Sequence, residues 1–332
     1  MDIEKMLTLV EERLSRCKIL VTGDVMLDKY YYGEVTRISP EAPVPINHIT
    51  RQKETLGGAA NVAHNLALLG CDTLLAGFVG EDYHCRSLKE KLVENGIDHA
   101  GLVPTNRPTT TKMRIIGGHQ QMMRLDFEST EPLEKIYIDK FLAFVRCKLA
   151  ESIDAIIVSD YAKGTCSEIT TTAIIEAAHA HGVPVIIDPK GANWTKYRGA
   201  DYITPNVKEI NEILIDPIKN TDAEVLKAAH YIMRKYRIKN VLATRSENGV
   251  TLVREGEDVH IPTRAQEVFD VSGAGDTVIA VLAAGLAGGL KGRDAAFLAN
   301  LAASVVVRKL GTYAVSREEL KEALRELPRE EA

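Results

Sequence analysis

Short apolar runs that stop abruptly at a polar or acidic residue recur along this 332-residue chain, separated by stretches with helical spacing. Residues 18–22 run into Gly23-Asp24, 73–79 into Gly80-Glu81-Asp82, and 155–158 into Ser159-Asp160. Likewise 183–187 run into Asp188-Pro189-Lys190, 202–204 into Pro205-Asn206, and 240–243 into Thr244. Helical spacing occupies 61–69, 87–94, 136–150, 168–181 and 223–236. Continuous rather than alternating apolar runs suit strands buried on both faces. The pattern therefore predicts an α/β fold with a mainly parallel sheet covered by helices on each side. Ligands of such sheets bind beyond the carboxyl ends of the strands. Asp24, Asp160, Asp188, Asn206 and Thr244 all fall there.

Two regions break the rhythm. Residues 28–56 and 108–127 hold β-branched and aromatic runs separated by Gly and Pro, as antiparallel hairpins do. Paired together they would make a small sheet covering the site. With no repeat and no low-complexity linker, one domain spanning 1–332 with lid insertions at about 28–56 and 108–127 is the economical organisation. At the N-terminus Ile3, Met6, Val10 and Leu14 follow helical spacing among acidic residues, unlike a secretory signal. The longest apolar run, 278–290, is shorter than the ~20 residues of a membrane span and reads as a core helix. No membrane association is expected, and the predicted location is cytoplasmic. A net charge of -5 also argues against nucleic acid as a partner. The five cysteines (Cys17, Cys71, Cys85, Cys147, Cys166) form no C-x-x-C pair and read as reduced, buried thiols. His179 and His181, two apart on a helix, make a poor metal pair. Trp194 and Tyr30 to Tyr32 are expected to pack.

The most informative stretch is Asp270-Val-Ser-Gly273-Ala274-Gly275-Asp276-Thr277, directly before an apolar helix. Small residues let successive backbone N–H groups converge on one anion, and the helix adds the positive end of its dipole. An acid in such a loop would repel a phosphate that was merely bound. Asp276 makes sense as a base that takes the proton of an attacking hydroxyl; the bland alternative is a first-turn helix acid. No G-x-x-x-x-G-K-[ST] occurs, and no G-x-G-x-x-G follows the first strand, so a nicotinamide enzyme lacks its fingerprint. A second run, Gly57-Gly58-Ala-Ala-Asn61, permits close backbone approach to a ligand. Asn61 and Asn65 share a helix face and could bond sugar hydroxyls, or Asn61 could simply cap the helix.

Together the two runs resemble the two signatures of the ribokinase (PfkB) family of carbohydrate kinases. Gly57, Gly58, Asn61, Ala63, Gly70 and Gly80 match the first. Asp270, Gly273 to Asp276 and Ala280 match the second, with Val281 where a smaller residue is usual. The resemblance covers nearly the whole chain. It implies a ribokinase-like three-layer sandwich with a small β-sheet lid, and ATP with Mg2+ as cofactors. It assigns the nucleotide side to Lys190, Asn206, Lys208, Glu209, Thr244, Ser246, Gly249 and Asn300, with Glu209 ordering magnesium through water. Ser246 departs from the glycine common there. Catalysis falls to Asp276 and the Gly273, Ala274 and Gly275 amides. Asp24, Gly57, Gly58, Asn61 and Asp160 face the sugar, Asp24 accepting from two hydroxyls, and Asp28 sits at the lid hinge. A monovalent cation such as K+ would lie near Asp270 and Gly311-Thr312.

Within the family, Val35-Thr-Arg-Ile-Ser-Pro-Glu-Ala-Pro-Val-Pro45 looks like the lid segment of heptose-7-phosphate kinases. Residues 124–128, 159–164, 188–190 and 309–312 agree. This implies phosphorylation of the anomeric hydroxyl of D-glycero-β-D-manno-heptose 7-phosphate to the 1,7-bisphosphate, in ADP-heptose and lipopolysaccharide-core synthesis. A phosphorylated acceptor needs cations. Arg124 is the first candidate, followed by Lys112, Arg114 and Arg37. Lid pairing would make a homodimer. Members of this group are often fused to a nucleotidyltransferase; this sequence, ending in a charged helix over 316–331, shows only the kinase motifs. The competing readings are another sugar or nucleoside kinase of the fold, or a non-catalytic sugar-phosphate sensor.

Overall fold

The computed structural model describes residues 2–265, 267–309 and 311–327. Its thirteen strands are β1 (Lys18–Gly23), β2 (Val25–Ile38), β3 (Pro45–Gly58), β4 (Asp72–Gly80), β5 (Asp98–Thr105), β6 (Thr111–Gly117), β7 (Gln120–Phe127), β8 (Ala155–Ser159), β9 (Val185–Asp188), β10 (Tyr202–Ile203), β11 (Asn240–Thr244), β12 (Val250–Arg254) and β13 (Glu257–Ile261). The helices are α1 (Ile3–Thr8), α2 (Ala59–Leu68), α3 (Tyr83–Glu94), α4 (Lys135–Ala150), α5 (Glu168–Ala180), α6 (Val207–Glu212), α7 (Asp222–Tyr236), α8 (Ala274–Ala287), α9 (Gly292–Val306) and α10 (Arg317–Arg325).

A nine-stranded sheet in the order β13-β12-β11-β10-β9-β8-β1-β4-β5 forms the middle layer. It is parallel from β11 to β5, with β12 and β13 added antiparallel. Successive side chains of a strand point to opposite faces. Ile19 and Val21 accordingly join one core with α1, α2, α3, α8, α9 and α10, while Leu20 joins a second with α4, α5, α6 and α7. The edge strands β5 and β13 lack the continuous apolar run of the central ones, which is why the sequence pattern passes over them.

The two insertions form a second, four-stranded sheet in the order β3-β2-β6-β7. Both hairpins are antiparallel as expected, but they meet through a parallel β2–β6 pair. The sheet grows directly from the end of β1. Gly23 (φ 148°) makes that exit possible, since a Cβ there would lie 2.1 Å from the Ser159 carbonyl oxygen. Gly58 (φ 54°) does the same where β3 turns into α2, against the Asp24 carbonyl.

Four cysteines are buried and all five are free thiols, but Cys147 is exposed on α4, contrary to the expectation of buried thiols throughout. Trp194 is fully buried, as expected, and donates to the Gly191 carbonyl. The C-terminal helix runs to Arg325; the remainder of the predicted 316–331 helix, from 328, lies outside the described residues. No helix among the described residues is long and apolar enough to cross a membrane.

Candidate active site

The glycine run ends in the first turn of α8, with Gly273 in the left-handed conformation at its N-cap. A Cβ at Gly273 would press on Thr312 and Asn61, whereas one at Gly275 would meet nothing within 4 Å. The loop is thus packed on one side and open on the other. Asp276 comes next, 6% exposed. Its Oδ2 accepts from Asn61 Nδ2 at 2.6 Å and its Oδ1 from the Tyr161 hydroxyl at 2.6 Å. Burial pushes its pKa up to about 6, and the Asp28 carboxylate adds to the rise. The Asn61 and Tyr161 hydrogen bonds and the Lys112 charge pull the other way. The result is a carboxylate poised to exchange a proton near neutral pH.

Strand ends build the adjoining cleft, about 150 Å³ in volume. Its lining includes Asp188, Lys190, Asn206, Glu209, Thr244, Gly275 and Asp276. Asn206 caps α6 and forms a reciprocal capping box with Glu209, which fixes the glutamate at the cleft wall. Glu209 also takes Lys190 Nζ at 3.0 Å. Asp188 is held well above the ordinary carboxylate range, first by burial and then by the neighbouring Glu209 and Asp276 carboxylates. Asp160, Asp188, Glu209 and Asp276 all line this cleft, and carboxylate oxygens are the donors a hard divalent cation takes. Asp188, Glu209 and Asp276 do not converge to within 4.8 Å of one another, so any ion here would need water to complete its shell.

Other candidates fall in different places from those expected. Asp24, expected to accept from two sugar hydroxyls, is 2% exposed and its carboxylate already accepts from three backbone amides. Oδ2 accepts from the Tyr161 and Lys163 amides at 2.8 and 2.9 Å, and Oδ1 from the Thr165 amide at 2.9 Å. Asp160 is likewise taken up, by the Ala162 amide, Lys196 and the Tyr197 hydroxyl. These two carboxylates hold the 160–165 turn, in which Ala162 carries a positive φ of 57°. Such strain persists only where surroundings over-determine it. Asn65 is also structural: its amide donates to the Asn61 carbonyl and its oxygen accepts from Thr277. Asn61, by contrast, points at Asp276. Gly57 lies against the Asp28 carboxylate. Asp28 is no bare hinge residue; it is buried on β2 and paired with Arg114 at 2.8 Å.

Arg124 is half-exposed on β7 and engaged by both oxygens of Asp126, its neighbour two residues on. Arg37 is exposed toward the far end of β2, away from the residues gathered around Asp276. On the nucleotide side, Lys208 and Ser246 are exposed. Gly249 has a structural reason of its own, because a Cβ would lie 2.2 Å from the Ile261 carbonyl oxygen. Asn300 is tied to the Pro262 carbonyl at 2.8 Å. Asp270 bridges Ser272 and Gly311 through their amides. Tyr161 lies in the 159–164 segment that agrees with heptose-7-phosphate kinases, but sequence reading gives it no role of its own. The available signal is its position directly after the acid that ends β8, where side chains face the cleft.

An acid closing a glycine loop beside this cleft fits phosphoryl transfer, and comparison with known proteins gives the class, a sugar kinase. Residues 17–319 match the pfkB family carbohydrate kinase model, so the chain belongs to the pfkB family and is an ATP-using carbohydrate kinase. It is 45% identical over 311 residues to the bifunctional protein HldE of Sodalis glossinidius, covering 93% of this chain and 63% of that protein. Against the bifunctional protein HldE of Pectobacterium atrosepticum the identity is 46% over 308 residues, 92% of this chain and 63% of that one. The chain thus spans less than two thirds of the length of these relatives. Among solved structures it superposes on Arabidopsis thaliana ribokinase complexed with ribose and ATP with a TM-score of 0.73 at 21% identity, covering 93% and 99% of the two chains. Escherichia coli phosphofructokinase-2 in complex with potassium gives 0.76 at 18%, covering 93% and 98%. At these identities the structural matches bear on the fold.

Proposed function

We propose that the chain transfers the γ-phosphoryl group of ATP to the anomeric hydroxyl of D-glycero-β-D-manno-heptose 7-phosphate, giving the 1,7-bisphosphate and ADP. The observation that carries the chemistry is the buried Asp276 carboxylate, fixed between Asn61 and Tyr161 and tuned to a pKa of about 6. The heptose reading is supported by the 45% identity to HldE proteins over 93% of the chain and by the 35–45 segment, which looks like the lid of heptose-7-phosphate kinases. The product would feed ADP-heptose and lipopolysaccharide-core synthesis in the cytoplasm.

Asp276 takes the proton of the attacking hydroxyl. The open backbone of Gly273 to Asp276, at the positive end of α8, faces the charge that develops on the transferring group. Asn61 and Tyr161 keep the carboxylate aimed. The β3-β2-β6-β7 sheet covers the acceptor and excludes water that would otherwise hydrolyse ATP. Glu209 and Asp188 would hold magnesium, which when bound offsets the negative charge of the ATP phosphates. Lys190 stands beside them for the nucleotide. Asp270 and the Gly311-Thr312 segment would take the monovalent cation. The exposed apolar side chains of the lid sheet, among them Ile38, Met123 and Phe127, would be covered in a homodimer.

A coupled assay offering heptose 7-phosphate, ribose, fructose 6-phosphate and adenosine tests the acceptor. Heptose 7-phosphate should give the highest kcat/KM, and no turnover with it would end this reading. The pH profile tests the base. A base must be unprotonated, so kcat/KM should fall about tenfold per pH unit below about pH 6. The Tyr161 hydrogen bond favours the charged carboxylate, so Tyr161→Phe should move that acid limb upward by about one pH unit. A limb that stays in place would remove Tyr161 from the tuning of Asp276.

A further inference from the structure

The face of the lid sheet that carries Asp28 is rich in charge. Register places Lys112 beside Asp28 and opposite Asp126, and places Arg114 beside Tyr30 and opposite Arg124, so all six residues lie on one face. Pairing then divides the cations sharply. Arg114 is bound to Asp28 and Arg124 to Asp126, while Lys163, reaching in from the 160–165 turn, is bound to Glu128 at 2.7 Å. Of these four cations, Lys112 alone has no hydrogen bond or ion pair among the described residues, although it is half-buried. Its ammonium sits 5.8 Å from the centre of the Tyr161 ring, and the hydroxyl of that ring is the one bonded to Asp276.

A half-buried lysine without an acidic partner is unusual, since burial disfavours an unpaired charge. Burial depresses its pKa, and the Lys163 and Arg124 charges nearby add to that, against Asp28 and Asp126. The local field therefore favours an incoming anion. Lys112 and the base thus both stand against the one Tyr161 side chain, so an acceptor with its reacting hydroxyl at Asp276 could extend over that ring. Its far end would then reach Lys112.

Building on the proposal that the acceptor is a sugar phosphate, we infer that Lys112 is the residue that selects it. The unpaired ammonium receives the acceptor's phosphate, with Lys163 and Arg124 contributing field from either side. Arg124, the stronger candidate from sequence, is secondary because Asp126 already occupies its guanidinium.

The test compares heptose 7-phosphate with the same heptose lacking the phosphate, in wild type, Lys112→Met and Lys112→Arg. A charge-assisted contact to phosphate predicts that Lys112→Met loses about 50-fold in kcat/KM on the phosphorylated acceptor, chiefly through KM. The Lys112 charge also lowers the Asp276 pKa, so the comparison is made at about pH 8, where the base is ionised in every variant. There kcat/KM of Lys112→Met on the unphosphorylated sugar should fall far less than on the phosphorylated one, and Lys112→Arg should keep most of the preference. Since Lys112 makes no hydrogen bond or ion pair that the methionine would break, thermal stability should hold or rise. If Lys112→Met retains the wild-type preference for phosphate, or if it loses activity on both sugars together with stability, the inference falls. A wild type that shows no preference for the phosphorylated sugar would instead overturn the acceptor reading on which the inference rests. Should the methionine variant not fold, Lys112→Gln carries the same comparison.

Discussion

Asp276→Asn should lose about three orders of magnitude in kcat while becoming more stable at alkaline pH. The loss comes from removing a general base, which contributes typically about 10²–10⁴-fold. The stability gain comes from the same burial that makes the base effective. The carboxyl has a folded pKa of about 6 against an ordinary 3.8. A group whose folded pKa is raised contributes stability that is fully present below its unfolded pKa and is lost as pH rises through the folded one. For a shift of this size the loss approaches about 3 kcal/mol above pH 7. Asparagine carries no charge to desolvate. It can also keep both neighbours, its oxygen accepting from Asn61 and its amide donating to the Tyr161 oxygen. Thermal unfolding of the two proteins from about pH 4 to pH 8.5 should therefore favour the Asp276→Asn protein by a margin that widens as pH rises. The margin should be small near pH 4 and level off above about pH 7. If the variant retained more than a tenth of the wild-type kcat, or were the less stable protein at every pH, Asp276 would be a structural first-turn acid and not the base.

The sequence displays strand ends well and hydrogen-bond partners poorly. Asp188, Asn206 and Thr244 are legible as a group because continuous apolar runs mark buried strands, and the residues just after such a run in a parallel sheet lie at the ligand edge. Asp276 is legible because only a loop handling phosphate needs that glycine run before an apolar helix. Nothing local, however, reveals that Asp24 binds amides 137 to 141 residues away, or that Asp160 meets Lys196 and Tyr197. A carboxylate at a strand end reads as available until the turn that uses it is in place. Arg124 is a different case. Alternation in β7 puts residues two apart on one face, so its capture by Asp126 is readable in Arg124-Leu125-Asp126. The parallel β2–β6 junction is not, since each hairpin is locally satisfied and the contact joins segments more than 80 residues apart.

Asp24→Ala is expected to cost about 3–5 kcal/mol of stability and to disable catalysis without touching a substrate. Three backbone amides of the 161–165 turn converge on this one carboxylate, which is 2% exposed. Leaving a buried donor without an acceptor costs about 1–3 kcal/mol each, and water entering the partly open turn recovers some of it. Asp24→Asn keeps one oxygen but turns an amide toward a facing N–H, so roughly half the penalty should remain. The catalytic effect travels through Tyr161. Its backbone is held by Asp24 and its hydroxyl holds Asp276, so loosening the turn releases one of the two hydrogen bonds that favour the charged base. Residual activity should then show an acid limb displaced to higher pH, as in Tyr161→Phe, with kcat falling more than the sugar KM rises. A sugar-binding carboxylate would behave in the opposite way. Its removal would raise the KM for the acceptor, leave the acid limb where it was, and barely alter thermal unfolding. The two substitutions, read by unfolding midpoint and by pH profile together, decide whether Asp24 binds the sugar or builds the turn that positions the base.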